Sequence, residues 1–135
     1  MNEPLARPSI FISVSDAERL VEAARRAKDP TAPAAQLLVE ELARAHVCAN
    51  DDVPARVVRI GSRVRYRDNR SGAAAEVRIV LPEDAEPERG KVSVLDITGA
   101  ALIGVPEDQC FRWRDGDGEL QELEVVQVLD DFVWR

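Results

Sequence analysis

The sequence has few of the residues that enzymes most often use for nucleophilic catalysis or zinc binding. It contains one histidine, His46, two cysteines, Cys48 and Cys110, and only 4% aromatic residues. Most catalytic nucleophile–base sets and most zinc sites need more imidazole or thiolate groups than these three residues supply. His46 and Cys48 lie near the end of a predicted helix, where side chains two positions apart diverge, so no shared metal ion is expected. Two cysteines make no disulfide framework, and free thiols are expected. Carboxylate chemistry remains open, because Asp and Glu are abundant.

Long apolar runs and excess positive charge are also missing. No run approaches the ~20 apolar residues that cross a bilayer. Residues 1–8 lack the basic and apolar regions of a secretory signal, which predicts a cytoplasmic protein without membrane association. The chain has 18 basic and 25 acidic residues, a net charge of −7. Phosphate backbones repel such a protein, so autonomous nucleic-acid binding is not expected.

What is present indicates a folded chain of 135 residues, with 45% hydrophobic and 32% charged residues. Two amphipathic helices are predicted in residues 1–52. Ser15 and Glu18 have the spacing of a capping box at the start of the first helix. The second helix is predicted over about 33–48, with Thr31 as a plausible cap. The turn between them, with Lys28 and Asp29 at its tip, makes a short antiparallel helical hairpin of coiled-coil type.

After a linker at residues 50–54, the spacing of apolar residues changes from a period of 3.6 residues, typical of a helix, to a period of 2 residues, typical of a strand. Residues 53–135 are therefore predicted to form a small antiparallel sheet with one short helix, which makes the fold class α+β. The predicted strands are 62–67, 75–81, 91–95, 109–114 and 120–129, and the short helix is 98–103. A turn at 115–118 closes the last two strands into a hairpin.

Three arginines, Arg63, Arg65 and Arg67, alternate along the first strand and form a basic patch on an acidic protein. The patch could be a solvated outer sheet face, balanced by the acidic loop at 82–90. It could also contact a polyanion or an acidic protein surface. Spacing alone leaves both interpretations open.

Collinear motifs from Gly61 onward resemble the C-terminal domain of the Gre-type transcript cleavage factors. They are Gly61–Val64, the acidic loop and Gly-Lys-x-Ser strand within 80–94, and Thr98–Gly104 with its Ala-Leu-Ile-Gly signature. The resemblance implies an FKBP-like fold. Gre factors also carry a longer coiled-coil hairpin, whose paired acidic tip enters the secondary channel of RNA polymerase and helps hold a catalytic magnesium ion. The turn here offers one carboxylate, Asp29.

The whole chain is similar to the regulator of nucleoside diphosphate kinase family, a short-hairpin relative of the Gre factors. The N-terminal motifs that carry this similarity are Arg7–Ile10, Asp16–Arg19 and Ala43–Cys48, followed by Val53-Pro54 and Ser62–Val64. The resemblance implies a non-enzymatic bacterial regulator, without catalytic residues, metal or cofactor. Its partner would be RNA polymerase at the secondary-channel rim, where it competes with Gre factors. A monomer is expected.

The resemblance also implies which residues dock on the polymerase. They are Asp96, Ile97, Thr98, Gly99, Ala100 and Leu102. Small residues at 99 and 100 would permit close approach of a partner backbone, and Ile97 would be an apolar anchor. The alternative is that Ile97 and Leu102 belong to the core and that Asp96 only caps the short helix.

Two other functions remain open from the sequence. One is an FKBP-like peptidyl-prolyl isomerase or chaperone, which would need a concave aromatic pocket in a chain with few aromatic residues. The other is a true transcript cleavage stimulator, which the short hairpin and the single tip carboxylate disfavour.

Overall fold

The computed structural model describes residues 7–129. Its helices are α1 (Val14–Arg25), α2 (Pro33–Arg44) and α3 (Ile97–Leu102). Its strands are β1 (Phe11–Ser13), β2 (His46–Cys48), β3 (Arg63–Asp68), β4 (Ala74–Val80), β5 (Lys91–Ser93), β6 (Cys110–Arg114) and β7 (Leu120–Val128). The change from helices to strands along the chain is confirmed.

The main sheet has the order β5-β4-β3-β7-β6. Pairs β3–β4, β3–β7 and β6–β7 are antiparallel, as predicted, but β4 and β5 are parallel, so a purely antiparallel sheet is wrong. Between them the acidic loop forms two 3₁₀ turns, Pro82–Asp84 and Pro87–Arg89. The loop returns the chain alongside the last residues of β4, where Lys91 pairs with Arg78.

The second helix is shorter than predicted, because residues 46–48 form a strand instead of its last turn. The backbone of Ala45 is extended, and His46 N donates to Ile10 O at 2.9 Å. β2 then runs parallel to β1, and the rings of His46 and Phe11 stack with centroids 5.3 Å apart. Pairing with the distant residues 10–13 therefore decides where α2 ends.

The first helix begins earlier than predicted, at Val14. Its N-cap is Ser13, whose Oγ accepts from Asp16 N at 3.0 Å, so the assignment of the cap to Ser15 is wrong. Thr31 does not cap α2 either. That helix follows Ala32, which has no side chain able to cap it, and Pro33 occupies the first helical position.

One apolar core joins the N-terminal half to the sheet. Leu20 of α1 and Leu38 of α2 are fully buried in the same cluster as α3 and the inner face of the sheet. Val21 and Val39 are apolar but about half exposed. The interior helix faces include Ala23, Ala34 and Leu37. The core thus fixes α3 and the segment before it against α2.

Candidate docking surface

The segment predicted to dock lies where the chain turns from β5 into α3. Leu95 N and Asp96 N bond to the side chain and backbone oxygens of Ser93, at 2.9 Å each, and this turn starts the helix. Asp96 is the N-cap by position, but its side chain makes no capping hydrogen bond. It is exposed, whereas Ile97 and Thr98 are half-buried. Asp96 therefore has a carboxylate available to a partner.

The rest of the segment is interior. Ala100 and Leu102 are fully buried, and Gly99 is buried with them. A Cβ on Gly99 would lie 2.1 Å from Ser93 O, so glycine is required by the chain's own backbone rather than by that of a partner. Gly99, Ala100 and Leu102 thus support the fold, and of the six residues predicted to dock only Asp96, Ile97 and Thr98 have side chains that are exposed or half-buried.

Asp96 and Ile97 line a groove of about 1040 Å³. The start of α2 forms one wall, and the turn between β6 and β7 forms another. Apolar lining comes from Pro33, Ala34, Leu37, Leu95, Ile97 and Trp113. Charged lining comes from Arg7, Glu40, Asp96, Arg114 and Asp115. An apolar floor with a mixed-charge rim has the anatomy of a protein-binding surface.

The ionised state of Asp115 is held by the turn itself. Its carboxylate accepts from Gln121 Nε2 at 2.9 Å and from the backbone N–H groups of Asp117 and Glu119. These bonds lower its pKa, with Gln121 as the largest cause. Hydrogen bonds to a carboxylate favour its charged form, so the rim keeps this negative charge at neutral pH.

The turn between α1 and α2, the predicted hairpin tip, uses its carboxylate locally. Asp29 Oδ1 accepts from Thr31 N at 3.0 Å and from Thr31 Oγ1 at 2.5 Å, and these bonds lower its pKa. Lys28 lines a separate groove between α1 and the chain after β4. The two tip residues therefore do not share a site with the groove at Asp96.

The arginines of the basic stripe on β3 pair with carboxylates on neighbouring strands. Arg63 and Arg65 each lie 3.4 Å from a Glu76 oxygen, and Arg67 lies 3.5 Å from Glu124 Oε1. All three arginines are about half exposed. The glutamates that pair with these arginines lie on β4 and β7. In the acidic loop, Glu86 pairs with Arg89 and Lys91 instead. This arrangement favours a solvated outer sheet face.

The sequence patterns above did not predict a buried ionic cluster around Glu41. Glu41 is 1% exposed, and its oxygens lie 2.8 Å from Arg7 Nη1 and 2.8 Å from Arg44 Nη2. Arg7 also stacks over the Phe111 ring at 4.9 Å, and Arg44 donates to Pro8 O at 2.6 Å. Position 41 follows Ala34, Leu37 and Leu38 on the buried face of α2, and that spacing was the available signal.

The chemistry available to the described residues is limited. His46 and Cys48 lie on a strand, so they share a face, and the helical argument for their divergence was wrong. Even so, residues 7–129 hold no group of three or more His, Cys, Asp or Glu placed to bind a metal ion. Cys48 and Cys110 are free thiols. No helix in that range is long and apolar enough to cross a membrane.

Two family models match the chain in succession. Residues 8–47 match the Rnk N-terminus, and residues 53–130 match the C-terminal domain of the transcription elongation factors GreA and GreB. The class of protein is therefore a Gre-type domain preceded by an Rnk-type N-terminal segment.

Similarity to individual proteins identifies the family within this class. The chain is 31% identical over 124 residues to a regulator of nucleoside diphosphate kinase from Escherichia coli K12, covering 92% of this chain and 91% of that one. It is 28% identical over 108 residues to the transcription elongation factor GreA of Thermodesulfovibrio yellowstonii, covering 74% and 68% of the two chains. The chain belongs to the regulator of nucleoside diphosphate kinase family.

A solved structure shares the fold. A prokaryotic transcription elongation factor GreA/GreB from Nitrosomonas europaea superposes with a TM-score of 0.68 at 32% identity, covering 90% of this chain and 98% of that one. The predicted α+β class with helices before a sheet is confirmed, and the fold is GreA/GreB-like. The FKBP-like description and the antiparallel hairpin remain predictions.

Proposed function

We propose that the protein is a non-enzymatic transcription regulator that binds RNA polymerase near the secondary channel and competes there with Gre factors. Family membership and the Gre-type domain support a role in transcription. The observation that carries the proposal is that the exposed Asp96 and the half-buried Ile97 lie side by side at the edge of an apolar groove. The unit that docks would be residues 53–135, with residues 1–52 as the part that reaches into the channel mouth.

The groove suits a protein partner better than a small polar ligand. Leu95 and Ile97, both half-buried, supply apolar surface, and the largely buried Leu37 and Trp113 also line the groove. Interfaces draw most of their affinity from a few central apolar or aromatic anchors within a polar rim. Asp96 on the rim is placed to accept from a basic group of the partner.

The hairpin tip does not favour transcript cleavage. Magnesium binds several oxygen ligands at once, and a catalytic metal needs more than one well-placed carboxylate. The tip offers Asp29, which is already bonded to Thr31. The protein would therefore occupy the channel mouth without adding a metal ligand set.

Binding and competition test the proposal directly. The full chain is labelled with a fluorophore and titrated with core RNA polymerase, and a Gre factor is then added as competitor. We expect saturable binding that the Gre factor reverses. No binding to core polymerase, or binding that a Gre factor leaves unchanged, would contradict the proposed site.

A cleavage assay separates the regulator from a cleavage stimulator. With backtracked polymerase complexes and magnesium, we expect no RNA cleavage beyond the intrinsic rate, and Asp29→Ala should bind polymerase as tightly as the wild type. Magnesium-dependent cleavage that disappears in Asp29→Ala would show that the tip is catalytic. A proline-peptide isomerisation assay on the same sample tests the isomerase alternative, for which we expect no activity.

A further inference from the structure

A second groove, of about 650 Å³, lies where α1, the segment after β2 and the end of β7 meet. Three arginines line it, Arg19 from α1 and Arg56 and Arg59 from the segment before β3. Small-molecule sites are typically concave and enclose about 300–1000 Å³, so the groove is large enough for a ligand of that size. It does not include Asp96 or Ile97, and it takes no part in the polymerase contact proposed above.

The groove is positively charged on a chain whose net charge is −7. Among the described residues that line it, Asp16 supplies the one carboxylate, against three guanidinium groups. That carboxylate already accepts from Ile60 N at 3.2 Å. Burial raises the pKa of Asp16, while the bond from Ile60 N and the nearby charges of Arg19 and Arg59 oppose the rise. Within residues 7–129, neither of these arginines forms a salt bridge, so the groove keeps an excess of positive charge.

The backbone at Arg56 is held in a conformation that an arginine rarely adopts. Its φ is 62°, in the left-handed region that favours glycine. Glu107 N donates to Arg56 O at 2.8 Å, and Val57 bridges to Pro106, so the surrounding chain fixes this conformation. The Arg56 side chain is 68% exposed and lies 3.6 Å from Glu107 Oε1, and an exposed ion pair of this kind adds little stability. Strained backbone of this type clusters at binding sites, which gives the guanidinium group of Arg56 a reason to be there.

We propose that this groove binds a small phosphorylated molecule, with its phosphate groups against Arg19, Arg56 and Arg59. A guanidinium group donates through a fixed fork that matches a pair of phosphate oxygens. A tetrahedral phosphate presents oxygens in several directions, so it can meet arginines that come from two parts of the chain, whereas the oxygens of a carboxylate lie in one plane. The exposed Pro54 and Ala55 form the apolar wall for the uncharged part of the ligand.

NMR titration of the isotope-labelled full chain with sodium pyrophosphate tests this site. We expect the amide signals of Ser15, Arg56 and Ile60 to shift together and to saturate, while that of Arg65 on the outer sheet face stays in place. ADP distinguishes a phosphate ester from the free anion. Tighter binding than pyrophosphate would assign the apolar wall to the organic group, and equal binding would assign the groove to the free anion. Citrate, which carries its charge on planar carboxylates, should bind more weakly than either.

Two arginine variants separate ligand binding from folding. Arg56→Gly suits the left-handed backbone, so the melting temperature should be no lower than that of the wild type, while the Kd for pyrophosphate should rise about ten-fold. Asp108→Gly is the matched control, because Asp108 also has a positive φ, 71°, but does not line the groove, and its Kd should be unchanged. Arg19→Gln should also raise the Kd about ten-fold, whereas Arg25→Gln, on the same helix but outside the groove, should not.

An unchanged Kd in Arg56→Gly or in Arg19→Gln would overturn the proposal, as would a titration that does not saturate. Signal shifts centred on Arg65 would also overturn it, because the anion would then bind the arginines of the outer sheet face. Citrate that binds as tightly as pyrophosphate would contradict the choice of phosphate, because the groove would then respond to charge alone.

Discussion

At the residue scale, Glu41 connects three parts of the chain through one carboxylate. It lies on α2, its partner Arg7 comes from the segment before β1, and Arg7 also bonds to Arg112 O on β6 at 3.1 Å. Arg44 completes the cluster from the next turn of the same helix. A buried charge is tolerated only when it is paired and hydrogen-bonded, and both conditions hold here.

Replacing Glu41 should destabilise the fold. Glu41→Gln removes the charge that the two arginines share, and breaking a buried pair from one side costs about 3 kcal/mol of the free energy of unfolding. Urea unfolding measures the loss. Glu40→Gln is the control, because Glu40 is 61% exposed and lies 3.4 Å from Arg7, so it should cost less than about 1 kcal/mol. Equal losses for both variants would show that burial at position 41 contributes nothing.

Gly99 gives a second test at this scale. Gly99→Ala forces a Cβ against Ser93 O, so α3 must shift, which should cost about 1–3 kcal/mol of stability. Gly116→Ala is the matched control, since a Cβ there has nothing within 4 Å. Thermal unfolding compares the two. If Gly99→Ala left the melting temperature unchanged but abolished polymerase binding, Gly99 would instead contact the partner directly.

At the scale of elements, the start of α1 shows a long-range contact overriding a local sequence pattern. Ser15 and Glu18 carry a capping-box pattern, yet the helix begins two residues earlier behind Ser13. Ser13 ends β1, which pairs with β2, and Ser15 N instead donates to Asn50 Oδ1 at 3.0 Å. Pairing with a distant strand therefore selects Ser13 as the cap over Ser15, the serine that the local sequence favours.

The cap assignment predicts different costs for the two serines. Ser13→Ala removes the bond to Asp16 N and should lower the free energy of unfolding by about 1 kcal/mol. Ser15→Ala should cost less than about 0.5 kcal/mol, as for an ordinary surface change. Chemical denaturation of both variants is the measurement. A larger loss at Ser15 would place the cap where the sequence pattern suggested.

At the scale of the whole molecule, Asp96→Arg asks whether the Gre-type domain docks through its groove. The side chain makes no capping bond, so the melting temperature should change little. Asp96→Arg places a positive charge against the partner's basic group, so binding to core RNA polymerase should weaken by about 1–3 kcal/mol. Asp51→Arg is the control, because it makes the same charge change at an exposed position in the linker. Equal binding by wild type and Asp96→Arg would exclude Asp96 from the interface.

The sequence by itself determined the element types of the two long helices and of the main sheet, the change of period near residue 53, the short helix and the hairpin of β6 and β7. These features depend on residues that are close in the sequence, through the spacing of apolar residues and the identity of turn residues. The tertiary structure alone decided the end of α2, the parallel pairing of β4 with β5, the ion pair of Glu41 with Arg7 and the pairing of Arg63, Arg65 and Arg67 with glutamates. Each of those depends on a hydrogen bond or ion pair with a residue outside its own element, and periodicity within one segment carries no record of such partners.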